Sequence, residues 1–199
     1  MKNNSYFCSR NSKWYMVNKV GVFCASSNKM DAVYYEEAAR LGAWIGETGR
    51  TLVYGGANCG LMEAVARAVH EHGGQVMGVV PQILAQHDRV SQYIDVTIHT
   101  ADLNDRKQML IDQSDVLVVL PGGVGTLDEV FTVMAAHTIG LHQKRLVFWN
   151  INGFWNDLFL LFDGLEQRGV MTMPMTELAC KVNTLEKLID EIGLTEKSS

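Results

Sequence analysis

At 199 residues the chain is long enough to bury one substantial core without metal or disulfide staples, and short for two ordinary domains. Its 47% hydrophobic and 20% charged content is that of a globular protein, which excludes wholesale disorder, and no apolar run reaches the ~18 residues that a membrane span needs. A net charge of −5 excludes a nucleic-acid groove spread over the surface, although it leaves room for a local basic pocket that holds one small anion. Cys8, Cys24, Cys59 and Cys180 form no CxxC pair and have no histidine at metal-ligand spacing, so they read as reduced thiols of a cytoplasmic protein.

Residues 1–15 are polar and mixed, with no apolar segment of the kind a signal peptide carries, and are read as a disordered extension. A single nucleotide-binding domain is expected over 16–194, followed by a frayed tail at 195–199. In chain order, VGVFCA (20–25) reads as a buried strand and 32–49 as a helix closed by glycine. The strand TLVYGG follows, then a helix over 61–74, the strand QVMGVVP (75–81) and the strand YIDVTIH (93–99). Next come a helix over 102–114, the strand DVLVVL (115–120), a helix over 126–140 and the strand RLVFWN (145–150). A helix over 154–169, a short strand near LACKV and a last helix, TLEKLIDEIG, complete the chain. Apolar strands alternating with amphipathic helices predict an α/β fold, a doubly wound, mainly parallel sheet with helices on both faces.

In such a sheet, ligands bind at the carboxyl ends of the strands, near the point where strand order reverses. Three strand-end loops are rich in small residues: CASSN (24–28), YGGANCG (54–60) and PGGVGT (121–126). Glycine lets backbone N–H groups approach an anion, and a helix that starts at once adds its positive end. None of the three fits a P-loop or GxGxxG, and no acidic residue stands where dinucleotide binding needs one, so a mononucleotide or sugar phosphate suits them better than NAD. Glu129 falls about one turn into the helix after PGGVGT, where a carboxylate can stabilise a positively charged ribose or take a proton from water. The same spacing is met if Asp128 and Glu129 only favour the helix dipole. Arg106 and Lys107 supply cations that can anchor a ligand or orient Glu129, or lie on a solvated helix face.

PGGVGTLDE (121–129) resembles the PGGxGTxxE signature of the LOG ("lonely guy") family of nucleoside 5′-monophosphate phosphoribohydrolases. VFCASS, YGGANCGLM, DRKQML, GLHQK and NGFWNDL follow the family's order, so the resemblance runs from about Lys19 to Gly169. It implies a Rossmann-like fold, a homodimer or higher homo-oligomer, and cleavage of a nucleoside 5′-monophosphate to free base and ribose 5-phosphate. It also implies that Glu129 and Arg106 are the catalytic pair, that Gly122, Gly123, Gly125 and Thr126 hold the phosphate, and that Ser26, Gly55, Gly56 and Lys107 contact the nucleotide. No metal or organic cofactor is implied. Members have been labelled lysine decarboxylases, but the sequence offers no setting for a PLP-bearing lysine.

Several positions depart from the family pattern. Ala25 and Ala57 stand where glycine is common, Glu63 follows Leu-Met where glycine is usual, LNDRK replaces MHxRK, and Ala136 replaces a frequent tryptophan. Glu129 and Arg106 are retained, so the reaction is expected on a cytokinin riboside 5′-monophosphate or an AMP-like nucleotide, and the departures weaken the case for a cytokinin base pocket without choosing the base. Two other readings compete. One is a non-catalytic nucleotide or molybdenum cofactor carrier of the same fold, which needs no carboxylate beside C1′. The other is a general purine or pyrimidine monophosphate nucleosidase.

Overall fold

The computed structural model describes residues 17–85 and 89–193. The extension expected over 1–15 and the tail over 195–199 lie outside the described residues.

Seven strands form one sheet: β1 (Lys19–Phe23), β2 (Thr51–Tyr54), β3 (Gln75–Pro81), β4 (Val96–Thr100), β5 (Val116–Val119), β6 (Arg145–Trp149) and β7 (Ala179–Val182). They lie in the order β4-β3-β2-β1-β5-β6-β7, and every pairing is parallel. The strand order reverses between β1 and β5, so the crevice that such a sheet offers a ligand opens above those two strands.

Alternate residues of a strand point to opposite faces, and here both faces are covered. Val20, Val22, Leu52, Tyr54, Val116, Val118, Val147 and Trp149 pack with helices α1 (Ala32–Glu47) and α2 (Gly60–Glu71) on one side. Their neighbours Phe23, Val53, Leu117, Val119, Leu146 and Phe148 pack on the other side with α4 (Leu103–Gln113), α5 (Val124–Thr138) and α6 (Asn156–Gln167). This two-sided burial is why the strands read as unbroken apolar runs. The short helix α3 (Gln82–Ala85) follows β3, α7 (Met175–Leu178) precedes β7, and α8 (Leu185–Gly193) lies on the α1 side through Leu185, Leu188 and Ile192.

The doubly wound α/β expectation holds, and the sheet is wholly parallel. Four details differ. The strand expected from Tyr93 starts at Val96, because Ser91 Oγ accepts from the Tyr93 amide and Asp95 turns its carboxylate to the Val76 amide at 2.7 Å. The helices α3 and α7 and a single 3-10 turn at Ile151–Gly153 were not expected; each spans only three or four residues, too few for a periodic signal.

Candidate active site

The first small-residue loop is the keystone of the crevice. The Ala25 amide donates to the Pro121 carbonyl at 3.0 Å, while the Ala25 carbonyl accepts from the Leu61 amide at 2.9 Å. Asn28 Oδ1 accepts a further bond from the Gly60 amide at 2.8 Å. Gly60 has φ +62° and lies so close to the first loop that a Cβ there would sit 2.6 Å from the Ala25 carbonyl oxygen. The three small-residue segments are thereby locked side by side around a cavity of about 370 Å³.

Helix α5 begins over this cavity. Its N-cap is Gly123, with no side chain capping the first turn and no acidic residue in it. Gly123, Val124, Gly125 and Thr126 all line the cavity, so the uncapped amides of a helix N-terminus are presented to it. Gly122 serves the loop differently: the buried Thr126 side chain packs against it, and a Cβ at Gly122 would overlap Thr126 Oγ1.

One turn further along α5, Glu129 reaches the cavity wall. Its Oε1 lies 3.1 Å from Arg106 Nη2, with the side chains only 5% and 13% exposed. Burial pushes the Glu129 carboxyl up to about 7, against the opposing pull of Arg106. Cys24 lies beneath as a neutral thiol, raised first by its own burial and then by Glu129. Arg106 is delivered by α4, whose N-cap Asp102 accepts from the amides of Asn104 and Asp105. The guanidinium fits where Gly55 has no side chain, since a Cβ there would overlap Nη2. Arg106 Nε is buried and has no acceptor among the described residues, leaving one donor for a ligand.

Ser26, Gly55, Arg106, Gly123, Gly125, Thr126 and Glu129 are thus gathered around one cavity. Gly56, Gly122 and Lys107 stand outside its lining. Gly56 is a turn residue at φ +79° facing Val80, and Lys107 Nζ pairs with Asp128 Oδ1 at 3.0 Å. Cys24, Ala25, Ser27, Ala57, Cys59, Met62, Arg89 and Val124 complete the lining, and none of these eight was singled out from the sequence as a ligand contact. For Arg89 a signal existed: it is a lone cation in the polar stretch after β3, another strand whose carboxyl end faces the crevice.

Comparison with known proteins joins this geometry to a family. A family model described as "Possible lysine decarboxylase" matches residues 62–192. The chain is 30% identical over 174 residues to cytokinin riboside 5′-monophosphate phosphoribohydrolase LOG3 of Arabidopsis thaliana, covering 87% of this chain and 81% of the relative. With LOG7 of the same plant it shares 32% over 174 residues, covering 87% and 80%. Among solved structures, the Moco carrier protein of Chlamydomonas reinhardtii superposes with a TM-score of 0.69 at 23% identity, over 90% of this chain and 97% of that one. The molybdenum cofactor binding protein of Rippkaea orientalis gives 0.65 at 22%, over 89% and 96%. At that identity these two likenesses speak for the fold alone. The sequence relatives and the family model say more, and the chain belongs to the family of the LOG proteins.

Proposed function

We propose that the protein hydrolyses the N-glycosidic bond of a nucleoside 5′-monophosphate, releasing the free base and ribose 5-phosphate, as the names of its LOG relatives describe for cytokinin riboside 5′-monophosphates. The observation that carries this reading is the buried Arg106–Glu129 pair at 3.1 Å beside an uncapped helix N-terminus, in one cavity. The phosphate binds at Gly123, Gly125 and Thr126, where the helix dipole and free amides favour a dianion. That anchor sets the ribose against Glu129. The C1′–N bond then breaks with its electron pair leaving on the base, which takes a proton from solvent. Ionised Glu129 stabilises the oxocarbenium-like ribose and accepts the proton of the water whose oxygen adds to C1′. Arg106 holds the carboxylate in place and keeps part of it ionised at neutral pH, against the effect of burial.

A decarboxylase of the kind the family model's description names would need a lysine to carry PLP as a Schiff base. The residues lining this cavity include no lysine, and Lys107 is turned to Asp128. Exposed Ile139, Leu141 and Leu160 support assembly as a homodimer or larger homo-oligomer. Free Cys24 and Cys59 suit a cytoplasmic setting, and among the described residues no helix is long and apolar enough to cross a membrane.

The test is release of ribose 5-phosphate from a panel of nucleoside monophosphates by the wild type, Glu129→Gln and Arg106→Ala. Both variants should stay folded and lose on the order of 10²–10³ in kcat. The reactive form of Glu129 is the carboxylate, and its pKa is about 7, so wild-type kcat/KM should fall as the pH drops through 7 and level off above it. A wild type that binds nucleotide and never releases base would replace this reading with that of a carrier.

A further inference from the structure

The cavity has a second cationic pole that the reaction does not use. Arg89 lines it, and its backbone is fixed across the second glycine loop. The Asn58 amide donates to the Arg89 carbonyl at 3.1 Å, the Ser91 amide donates to the Gly56 carbonyl at 2.9 Å, and Ala57 and Val90 form an antiparallel bridge between them. Arg40, Arg67, Arg106 and Lys107 all have carboxylate partners, whereas among the described residues Arg89 has none. Its charge is felt at Cys59, whose thiol is raised by burial and lowered by Arg89.

Sheet order places this pole. The loop after β2, which Arg89 crosses, lies on one side of β1, and the loop after β5, which opens α5, lies on the other. Two strand spacings, about 10 Å, separate those loops. If the 5′-phosphate sits at the start of α5 and Glu129 faces C1′, the base extends toward Ala57, Cys59 and Met62, with Arg89 at the edge of that slot. This placement rests on the phosphoribohydrolase reading above.

We infer that Arg89 is a specificity-determining residue and that it favours bases presenting two acceptors on one edge, as a 6-oxopurine does with O6 and N7. A guanidinium offers five donors and no acceptor, in a fork that matches the O6/N7 pair. Adenine presents an amine beside N7, so one position of the fork meets a donor. An N6-alkylated adenine adds an apolar tail against the same charge. Guanosine and inosine monophosphates are therefore the preferred substrates.

The experiment measures kcat/KM for GMP, IMP, AMP and N6-isopentenyl-AMP, with ribose 5-phosphate as product inhibitor, for wild type, Arg89→Met and Arg89→Lys. Wild type should favour GMP and IMP over AMP by roughly 10- to 100-fold, the discrimination of one bidentate pair. Arg89→Met should close that gap by lowering GMP and IMP much more than AMP, with ribose 5-phosphate inhibition retained. Arg89→Lys should recover only part of it, because a point charge lacks the fork. Equal losses on all four substrates together with weaker ribose 5-phosphate inhibition would make Arg89 a phosphate ligand and overturn the inference. So would a variant with an unchanged substrate order. Calorimetric binding of GMP and AMP to the same three proteins separates this from the hydrolase reading. A GMP preference that Arg89→Met removes, in a wild type that hydrolyses nothing, keeps the inference and removes the enzyme. Absence of any GMP preference in binding overturns the inference whether or not hydrolysis is seen.

Discussion

The second glycine loop and the PGGVGT loop are built from the same residue type and use it in opposite ways. In the second loop the space freed by glycine is filled by the protein itself: Arg106 over Gly55, Val80 against Gly56, the backbone of Ser26 against Gly60. In the PGGVGT loop, Gly122 is filled by Thr126, but a Cβ at Gly123 or Gly125 would meet nothing within 4 Å. The YGGANCG loop is therefore a socket for the Arg106 side chain, whereas the PGGVGT loop leaves open space beside Gly123 and Gly125. A glycine count does not distinguish them, whereas the atoms around each absent Cβ do.

Among changes to these two loops, Gly55→Ala gives the largest expected effect. The added methyl overlaps Arg106 Nη2, so the guanidinium must leave its place beside Glu129. A displacement of about 1 Å at a catalytic group can cost ~10²-fold, and kcat should fall by about that much. KM should move less, because the helix N-terminus is untouched. Retained kcat in a folded Gly55→Ala protein would mean that Arg106 tolerates a different seat and that the second loop is not a socket.

Gly125→Ala probes the other loop and should separate stability from binding. The position is helical, has negative φ and has open space, so alanine should stabilise the fold by about 0.4–1 kcal/mol through helix propensity and a less disordered unfolded chain. The same methyl projects where the phosphate is expected. KM should rise roughly tenfold, the worth of one charge-assisted hydrogen bond of about 1.5 kcal/mol. Thermal denaturation and steady-state kinetics on one preparation test both halves, and unchanged KM would move the phosphate away from α5.

Much of this was legible before any coordinates. Alternating apolar strands and amphipathic helices require a covered parallel sheet, and PGGVGTLDE and DRKQML place Glu129 and Arg106 near the starts of helices that follow strand ends. What sequence could not supply was the docking of distant segments. Arg89 joins the cavity only because residues 89–91 bond back across 56–58, a pairing with no periodicity to betray it. Cys24 and Met62 are buried among the core residues, and each also turns one side to the cavity. The late start of β4 depends on two side-chain bonds, from Ser91 and Asp95, that override the apolar alternation.

The smallest effect should come from Lys107, adjacent to Arg106 in sequence and different in its surroundings. Arg106 belongs to the filled loop: it is buried, faces Glu129 and has a donor to spare. Lys107, on α4, reaches the outer side of the open loop's helix, where Asp128 is 56% exposed and Lys107 15%, so the pair joins α4 to α5 with its carboxylate in contact with water. Such pairs contribute about 0.2–1 kcal/mol. Lys107→Ala should therefore lower stability within that range and change kcat/KM by less than about fivefold, since 1 kcal/mol corresponds to a factor of about five. Asp128→Asn should cost about the same stability, because either change breaks the same contact, while its small effect on Glu129 runs the other way, since Asp128 raises that carboxyl and Lys107 lowers it. If Lys107→Ala instead fell to the level of Arg106→Ala while Asp128→Asn stayed active, the ammonium would have to leave Asp128 for the substrate phosphate. The open loop would then gain a cation that its resting geometry keeps outside the cavity.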